Sequence, residues 1–215
     1  DRGLGRLIEP DELVGVIDKL NGKVIVTSGP TYEEIDDVKV VTNKSSGKQG
    51  RALAIELSAR GYEIVYIHAD SIDRIPGLVN VSFNTSNDLK NKILDNIKNT
   101  ETIFMTAAVS DFTVNKSPGK ISRSKGSITV EFTPNEDIIA AVKTSHPAVK
   151  CIAFSAQVDD ELNFNKIKSK NVDYLVINNI LKNEFGSDIN KVSIIDKHNL
   201  IFESETLDKN EISKD

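Results

Sequence analysis

The sequence is poor in the residues that form disulfide frameworks and metal centres. Cys151 is the only cysteine among 215 residues, so the chain can form no internal disulfide and no cysteine-rich metal site. The histidines, His68, His146 and His198, are scattered without the spacing of metal ligands, and a histidine-based metal site is therefore not expected. A lone cysteine favours a reducing, cytoplasmic setting for the protein.

Long apolar runs and a surplus of positive charge are also lacking. No stretch approaches the roughly 20 apolar residues that cross a bilayer, and no signal-peptide pattern begins the chain, so we expect no membrane partner. The net charge of -5 argues against a general nucleic-acid surface, so no nucleic-acid partner is expected. The overall composition, 39% hydrophobic and 27% charged, is that of a globular domain with one core.

Short apolar runs alternate with helical patterns over most of the chain. Five runs predict buried parallel strands: Val24–Val26, Ile64–Ile67, Ile103–Met105, Cys151–Phe154 and Tyr174–Ile177. Apolar residues at helical spacing occur at Leu53–Ala59, Leu89–Ile97 and Ile138–Val142. This alternation predicts an α/β fold, built as a three-layer, Rossmann-like, doubly wound and mostly parallel sheet. The triplet at 86–88 is the expected N-cap region of the helix that contains Leu89.

Two segments break the alternation. Residues 113–127 hold Pro118, glycines and several basic residues, and Ser127–Phe132 then alternates like a strand. We expect an antiparallel flap at about residues 113–132, and we call this segment the flap. Near the end, Lys191–Asp196 and Leu200–Glu205 flank a polar turn, which predicts a C-terminal hairpin.

The segment from Lys23 to Gly61 is the most informative part of the chain. An apolar strand, a long polar loop and an amphipathic helix follow one another, and this arrangement directs backbone N–H groups at an anion such as phosphate. A dinucleotide-binding loop would be short, with the tight spacing G-x-G-x-x-G. Here residues 30–46, which we call the insertion, separate Gly29 from Gly47 and Gly50, so the loop is expected to hold more than a pyrophosphate.

Several polar groups could carry chemistry. Asp111 follows a buried strand and a run of small residues, where it could orient a sugar hydroxyl or help hold magnesium, or could simply belong to a turn. Lys120 and its basic neighbours on the flap could close over a polyphosphate, or could be solvated surface residues. Lys166 and Lys170 are four residues apart, so they share a helix face and can converge on one anion. No nucleophilic triad and no P-loop pattern is found.

The motifs resemble those of the phosphopantothenate–cysteine ligases. The resemblance rests first on Gly29–Thr31, Ile35–Lys39 and Asn43–Gly50, which are similar to A-G-P-T-x-E-x-I-D-P-V-R and I-S-N-x-S-S-G-x-M-G. Further blocks follow in the same order: Ala107–Phe112 against A-A-V-A-D-[YF], Gly119–Arg123 against a lysine-rich K-I-K-K stretch, Asn135–Ile138 against N-P-D-I, Phe154–Gln157 against F-A-A-E, and Lys170–Asp173 with Asn178. The chain departs from the pattern at Lys44, Ser110 and Gln157.

The resemblance covers residues 22–208, and a second resemblance concerns the beginning of the chain. Gly3–Pro10 is similar to the end of the flavin decarboxylase half of bifunctional proteins. We therefore expect residues 1–21 to be the tail of a decarboxylase domain with a linker helix capped near Asp11. Residues 22–208 would be the ligase domain, and residues 209–215 a tail. FMN would belong only to the missing decarboxylase half.

The family's chemistry implies a two-step reaction. A nucleoside triphosphate, CTP in most prokaryotic members, converts the carboxylate of 4′-phosphopantothenate into an acyl-nucleotidylate and releases pyrophosphate. The amine of L-cysteine then attacks the acyl carbon and releases CMP. Mg²⁺ would act through the triphosphate, with Asp111 as its tentative ligand. The resemblance also implies a homodimer with the flap near the partner subunit.

The resemblance also implies the site residues. Asn43 and Lys120 would be catalytic, with the Asn43 amide beside the acyl phosphate and Lys120 over the reacting triphosphate. The nucleotide would be bound by Met105, Thr106, Ala107, Asp111, Lys120, Glu136, Asp137, Ile138, Ile139, Phe154, Lys166 and Lys170. Phosphopantothenate would be bound by Gly29, Thr31, Asn43, Ser45, Ser46, Gly47 and Ala108.

Two other functions remain as alternatives. An NAD(P)-dependent oxidoreductase is favoured by Asp70, which follows a strand about 20 residues beyond Gly50, as a ribose-binding acid would. The long insertion and the lack of a matching catalytic set argue against it. A non-catalytic nucleotide-binding domain is the third interpretation.

Overall fold

The computed structural model of the chain describes Leu13 and residues 22–157, 162, 164–179 and 192–203. The expected helix cap near Asp11 and the expected tail at 209–215 lie outside the described residues, although Leu13 itself is buried. The domain boundaries therefore stay predictions.

Strands and helices alternate along the described chain, as the apolar pattern predicts. In chain order they are β1 (Lys23–Ser28), β2 (Tyr32–Glu34), β3 (Val40–Thr42), α1 (Lys48–Ala59), β4 (Glu63–Ala69), β5 (Val79–Phe83), α2 (Ser86–Asn96), β6 (Thr100–Met105), β7 (Phe112–Val114), β8 (Phe132–Pro134), α3 (Ile138–Ser145), β9 (Lys150–Gln157), α4 (Phe164–Lys170), β10 (Tyr174–Asn179), β11 (Val192–Ile195) and β12 (Leu200–Glu203). A short 3-10 turn covers Arg123–Lys125 in the flap.

The main sheet has eight strands in the order β12-β11-β10-β9-β6-β1-β4-β5. The strands from β10 to β5 are parallel to their neighbours, whereas β11 and β12 are antiparallel. The chain winds outward from β1 in both directions, so the order reverses between β1 and β6. This confirms the predicted doubly wound α/β fold, in which ligands bind beyond the carboxyl ends of the strands near such a reversal.

The core lies on both faces of this sheet. On one face, Ile25 of β1 clusters with Leu89 of α2 and Val142 of α3. On the other face, Val24 clusters with Leu53 of α1. Successive side chains of a strand point to opposite faces, so an uninterrupted apolar run such as that of β1 is buried by helices on both sides.

The N-cap of the helix that contains Leu89 lies one residue before the predicted cap region. Thr85 is the N-cap of α2, and its hydroxyl accepts a hydrogen bond from the Asp88 backbone N–H at 3.1 Å. Ser86 and Asp88 lie instead in the first helical turn. Asp88 is well placed there, because a carboxylate in the first turn interacts favourably with the helix dipole.

The insertion contains secondary structure that its sequence pattern does not predict. Its ends pair as a small antiparallel sheet of β2 and β3, with Tyr32 opposite Thr42. Three-residue strands leave almost no alternation to detect, which explains why the segment was predicted as a loop. The β5 strand was also missed, because Asn80 and Ser82 interrupt its apolar character and only Phe83 is buried.

The strand predicted at Ser127–Phe132 is wrong in position. The structure has β8 at Phe132–Pro134, paired with β7 at Phe112–Val114 to form the base of the flap. Ile128 and Phe132 are each 47% exposed, so the alternating apolar residues have no core to face and residues 127–131 form no strand.

The C-terminal hairpin is confirmed. β11 pairs antiparallel with β12, and the Asp196 carboxylate closes the turn by accepting hydrogen bonds from the backbone N–H groups of His198 and Asn199 at 2.7 and 2.6 Å. Within the part of the chain that the structure describes, no helix is long and apolar enough to span a membrane.

Cys151 provides a test of the core. It lies in β9 with no exposed surface, and burial raises the pKa of its thiol to about 12. Because the thiolate is the reactive form, we expect the folded protein not to react with an aromatic disulfide reagent at pH 8. The same reagent should modify one thiol per chain in denaturant, since Cys151 is the only cysteine. Comparable labelling rates for the folded and unfolded chains would contradict this burial.

Candidate functional site

A cavity of about 490 Å³ lies at the carboxyl ends of β6 and β9. Its walls come from the loop after β6, the start of α3, the end of β9 and one face of α4. They comprise Asn43, Met105, Ala107, Ala108, Val109, Ser110, Asp111, Asn135, Glu136, Asp137, Ile138, Ile139, Ala153, Phe154, Ser155, Ala156, Lys166 and Lys170. Its position beside the order reversal of a doubly wound sheet is where such folds bind ligands.

The loop after β6 is held firmly against β1. The Thr106 hydroxyl donates to the Thr27 carbonyl, and the Ala107 N–H donates to the Thr27 hydroxyl at 3.1 Å. The Ala108 N–H then donates to the Gly29 carbonyl at 2.9 Å. The small side chains of this loop leave its backbone accessible, so a ligand can approach the chain closely.

The start of α3 forms the opposite wall. The Asn135 amide donates to the Ser110 carbonyl at 2.9 Å, which joins this wall to the loop after β6. The Asp137 carboxylate is the N-cap of α3 and accepts from the Ala140 N–H at 3.2 Å. Glu136 forms an ion pair with Lys90 of α2 at 2.5 Å. The wall is thus held by the loop after β6, by the first turn of α3 and by α2.

Two lysines of α4 face the cavity together, as their spacing predicts. Lys166 Nζ donates to Ser155 Oγ at 2.8 Å, and Lys170 Nζ pairs with Asp137 at 2.5 Å. The apolar floor includes Met105 and Phe154. An apolar floor beside paired ammonium groups suits a ligand that combines an aromatic base with phosphates.

Asn43 is the one residue of the fully described insertion that lines this cavity. Its side chain is exposed, and its Nδ2 donates to the Val109 carbonyl at 3.0 Å and to the Ala108 carbonyl at 3.4 Å. These bonds place a neutral amide where the insertion meets the loop after β6. Asn43 therefore joins the insertion, which the sequence predicts to bind an anion, to the cavity.

Most of the residues predicted to bind nucleotide come together in this cavity. Those that line it, with two of the residues predicted to bind substrate, are Asn43, Met105, Ala107, Ala108, Asp111, Glu136, Asp137, Ile138, Ile139, Phe154, Lys166 and Lys170. Six further residues line the cavity that the sequence does not single out as site residues: Val109, Ser110, Asn135, Ala153, Ser155 and Ala156. Each of them lies inside or next to a motif already recognised, so including all residues of those motifs would have found them.

The other predicted residues lie outside the cavity. Thr31 is buried, and its hydroxyl accepts a hydrogen bond from the Ser110 N–H at 3.0 Å, so its side chain supports the loop from below. Thr106 anchors the same loop to β1 through its bond to the Thr27 carbonyl. Ser45 and Ser46 precede the N-terminus of α1, where Gly47 is the N-cap with a left-handed φ of 66°. Their predicted contacts with phosphate stay predictions.

Lys120 lies away from this cavity, in a separate hollow of about 480 Å³. This flap hollow is lined by Ile35, Asn115, Ser117, Pro118, Lys120, Ile121, Ile128, Thr129, Val130 and Glu131. Lys120 therefore does not line the cavity in this structure. Its contact with a bound triphosphate stays a prediction.

No preformed metal centre was found among the described residues, which contain no cluster of three possible His, Cys, Asp or Glu ligands. Asp111 lies exposed on the cavity wall. A single carboxylate fits Mg²⁺ only as a partial ligand, because magnesium keeps waters and binds substrate phosphates together with one or two carboxylates.

The loop after β4 packs closely on the glycines that flank the insertion, next to Asp70. Ile72, in the loop after β4, packs so closely on Gly29 and Gly47 that a Cβ at either glycine would lie within 2.9 Å of it. The Tyr32 hydroxyl also contacts Ser71 at 2.6 Å. These contacts crowd the chain beside Asp70, where a ribose would have to bind, which argues against the oxidoreductase alternative that Asp70 suggested.

The fold and the cavity define a doubly wound α/β domain with a ligand site at the carboxyl ends of its parallel strands. Within that class, the chain belongs to the family described as the DNA/pantothenate metabolism flavoprotein C-terminal domain, which matches residues 20–215.

Curated relatives are similar over almost the whole chain. The coenzyme A biosynthesis bifunctional protein CoaBC of Bacillus subtilis is 32% identical over 212 residues, covering 91% of this chain and 52% of that protein. A cysteine/cysteine sulfinic acid decarboxylase of an unknown prokaryotic organism is 32% identical over 234 residues, covering 99% of this chain and 65% of that protein. The chain thus spans from 52% to 65% of the length of these two relatives.

Solved structures share the fold. The C-terminal domain of CoaBC has a TM-score of 0.71 at 24% identity, with 89% of each chain covered. A Cab2 variant in complex with phosphopantothenate-cysteine has a TM-score of 0.71 at 17% identity, with 94% of this chain and 85% of that chain covered.

Gly50 offers a test of the junction beneath the site. A Cβ at Gly50 would clash with the Thr106 hydroxyl and lie 2.7 Å from the Thr27 carbonyl oxygen. We expect Gly50→Ala to lower the free energy of unfolding by about 1–3 kcal/mol, because α1 must move away from the sheet. Denaturant unfolding measures this change. Lys48→Ala, at an exposed position of the same helix, is the control, and equal stability of the two variants would contradict the tight junction.

Proposed function

We propose that this chain is a ligase that joins 4′-phosphopantothenate to L-cysteine and forms 4′-phosphopantothenoylcysteine, the second step of coenzyme A biosynthesis from pantothenate. Family membership and the CoaBC relatives support a role in coenzyme A biosynthesis. The complex of the Cab2 variant with phosphopantothenate-cysteine supports the substrate class. The observation that carries the proposal is the position of Asn43, a neutral donor between the insertion and the cavity.

The cavity would bind CTP. Its apolar floor suits the base, and the ammonium groups of Lys166 and Lys170 suit the phosphates. Lys170 is paired with Asp137 in the free chain, so a phosphate would compete with that carboxylate for the same cation. Asp111 would orient the ribose or contact the magnesium that accompanies the triphosphate.

The reaction would proceed in two displacements. A carboxylate oxygen of phosphopantothenate attacks the α-phosphorus of CTP, and pyrophosphate leaves. The cysteine amine then attacks the acyl carbon, loses a proton to solvent, and expels CMP. Asn43 would donate to the acyl phosphate without adding charge, which stabilises the developing negative charge in both steps.

Two groups would assist from outside the cavity. Mg²⁺ bound to the triphosphate would neutralise charge on the departing pyrophosphate. Lys120 would add a positive charge from the flap. We also propose a homodimer, because Val38 on the insertion and Phe112 and Phe132 on the flap base are 64%, 48% and 47% exposed. Phe112 and Phe132 pack edge to face, with ring centroids 6.5 Å apart, and such exposed apolar groups suit contact with a second copy.

The first experiment measures product formation. The protein is mixed with 4′-phosphopantothenate, magnesium and either CTP or ATP, with and without L-cysteine. We expect pyrophosphate release that depends on phosphopantothenate and CTP, and CMP release that depends in addition on cysteine. Absence of phosphopantothenate-dependent pyrophosphate with both nucleotides would refute the ligase. Saturable binding of NADH in a titration would favour the oxidoreductase instead.

A second prediction concerns Asn43. Asn43→Asp replaces a donor with a negative charge beside the acyl phosphate, so the second step should slow on the order of 100-fold and the acyl-cytidylate should accumulate. Quenched-flow chromatography of the intermediate checks this. Asn91→Asp makes the same change at an exposed position on α2 and should turn over normally. Normal turnover of Asn43→Asp would remove Asn43 from the mechanism.

A further inference from the structure

The insertion carries a row of acidic residues that hold one arm of the flap. At the base, the Glu33 carboxylate, which is buried, accepts from the Thr113 hydroxyl at 3.0 Å and from the Ser86 N–H at 3.1 Å. Farther out, Lys116 of the flap pairs with Glu34 at 3.0 Å and with Asp37. The contacts run along the flap towards Lys120.

Asp36 is the most enclosed of these acids. Its side chain has no exposed surface, although the Lys39 ammonium that pairs with it at 2.7 Å is 43% exposed. One carboxylate oxygen accepts from the backbone N–H groups of Val38 and Lys39, each at 2.7 Å. The other oxygen accepts from Lys39 Nζ and from the Ile121 N–H at 3.0 Å. Asp36 thus links the turn of the insertion to the flap.

The backbone is held on both sides of Lys120. On one side, the Gly119 N–H donates to the Asp37 carboxylate at 3.0 Å, and the Asp37 N–H donates to the Gly119 carbonyl at 3.3 Å. On the other side, the Ile121 N–H donates to Asp36, and the Ile121 carbonyl accepts from Lys39 Nζ at 3.2 Å. Lys120 itself is exposed.

We infer that Asp36 is a positioning residue for Lys120, fixing the flap lysine on the same insertion that presents Asn43. The inference rests on the proposed ligase function for its catalytic consequence. The β2–β3 pairing joins the two ends of the insertion, so Asn43 and the Asp36 turn belong to one small rigid element. Lys120 is therefore positioned by the insertion and not by the main sheet.

The electrostatics of Asp36 agree with this role. The hydrogen bond from Lys39 holds the pKa of Asp36 well below its ordinary value, and the backbone N–H groups, including that of Ile121, lower it further. The carboxylate is therefore charged at neutral pH and acts only as an acceptor. An amide at this position could supply one acceptor oxygen, but its NH₂ group would meet donors.

The test compares Asp36→Asn with Asp95→Asn, which removes the same charge at an exposed position on α2. Hydrogen–deuterium exchange of the segment 117–123 should accelerate in Asp36→Asn and not in the control, with β1 and β6 unchanged in both. Unchanged exchange in the flap would overturn the inference. Hydrogen–deuterium exchange needs no turnover. It therefore tests whether Asp36 holds the flap around Lys120 even if the ligase assay fails.

The kinetic arm asks whether Asp36 acts through Lys120. We expect Asp36→Asn to lower kcat about 10- to 100-fold with little change in the KM for CTP, because a misplaced group loses transition-state contact. In a Lys120→Gln background, Asp36→Asn should cause no further loss. An equal loss in both backgrounds would make Asp36 a general structural residue and overturn the inference.

A second variant protects the test against misfolding. Asp37→Ala alters a side chain that is 53% exposed and removes the acceptor on the Gly119 side of Lys120. It should accelerate flap exchange and lower kcat in the same direction as Asp36→Asn, by a smaller factor. If Asp36→Asn fails to fold, wild-type exchange and kcat in Asp37→Ala overturn the inference.

Discussion

The close junction of β1, β6 and α1 is the constraint on which the candidate site depends. Thr27 bonds to both Thr106 and Ala107, and Gly50 brings α1 against the same point without room for a Cβ. Because three elements converge there, the chain after β6 must turn outward at once, and small residues keep its backbone open. The cavity beside this turn is a consequence of that packing.

The insertion extends the junction into a functional element. A dinucleotide fold uses a short turn at this point, but here a hairpin stands over the sheet and contacts the cavity through Asn43 and the flap through Asp36. Ile72, from the loop after β4, packs against the glycines at both ends of the insertion. The insertion therefore contacts both the cavity and the flap, which a short dinucleotide-binding turn could not do.

Local sequence patterns predicted the parts of the fold that are buried on both faces. The sequence pattern predicts β1, β4, β6, β9 and β10 because the apolar side chains of each strand are buried on both faces of the sheet. The pattern does not predict β5, and it misplaces the second strand of the flap. The side chains of both segments are largely exposed, so their order along the chain shows no alternation between core and solvent. Among the candidate site residues, helical spacing alone predicts that Lys166 and Lys170 lie together, whereas no local pattern predicts that Lys120 lines a hollow of its own on the flap.

The sequence by itself determined the types of elements, their order and the chemistry of the residues at the strand ends, because these depend on short-range periodicity and on motif spacing. Only the tertiary structure decided which groups meet. The hydrogen bond from the Ile121 N–H to the Asp36 carboxylate and the ion pair between Lys90 and Glu136 join residues far apart in the chain. Such contacts depend on how the elements pack, and no local pattern specifies a distance between two elements.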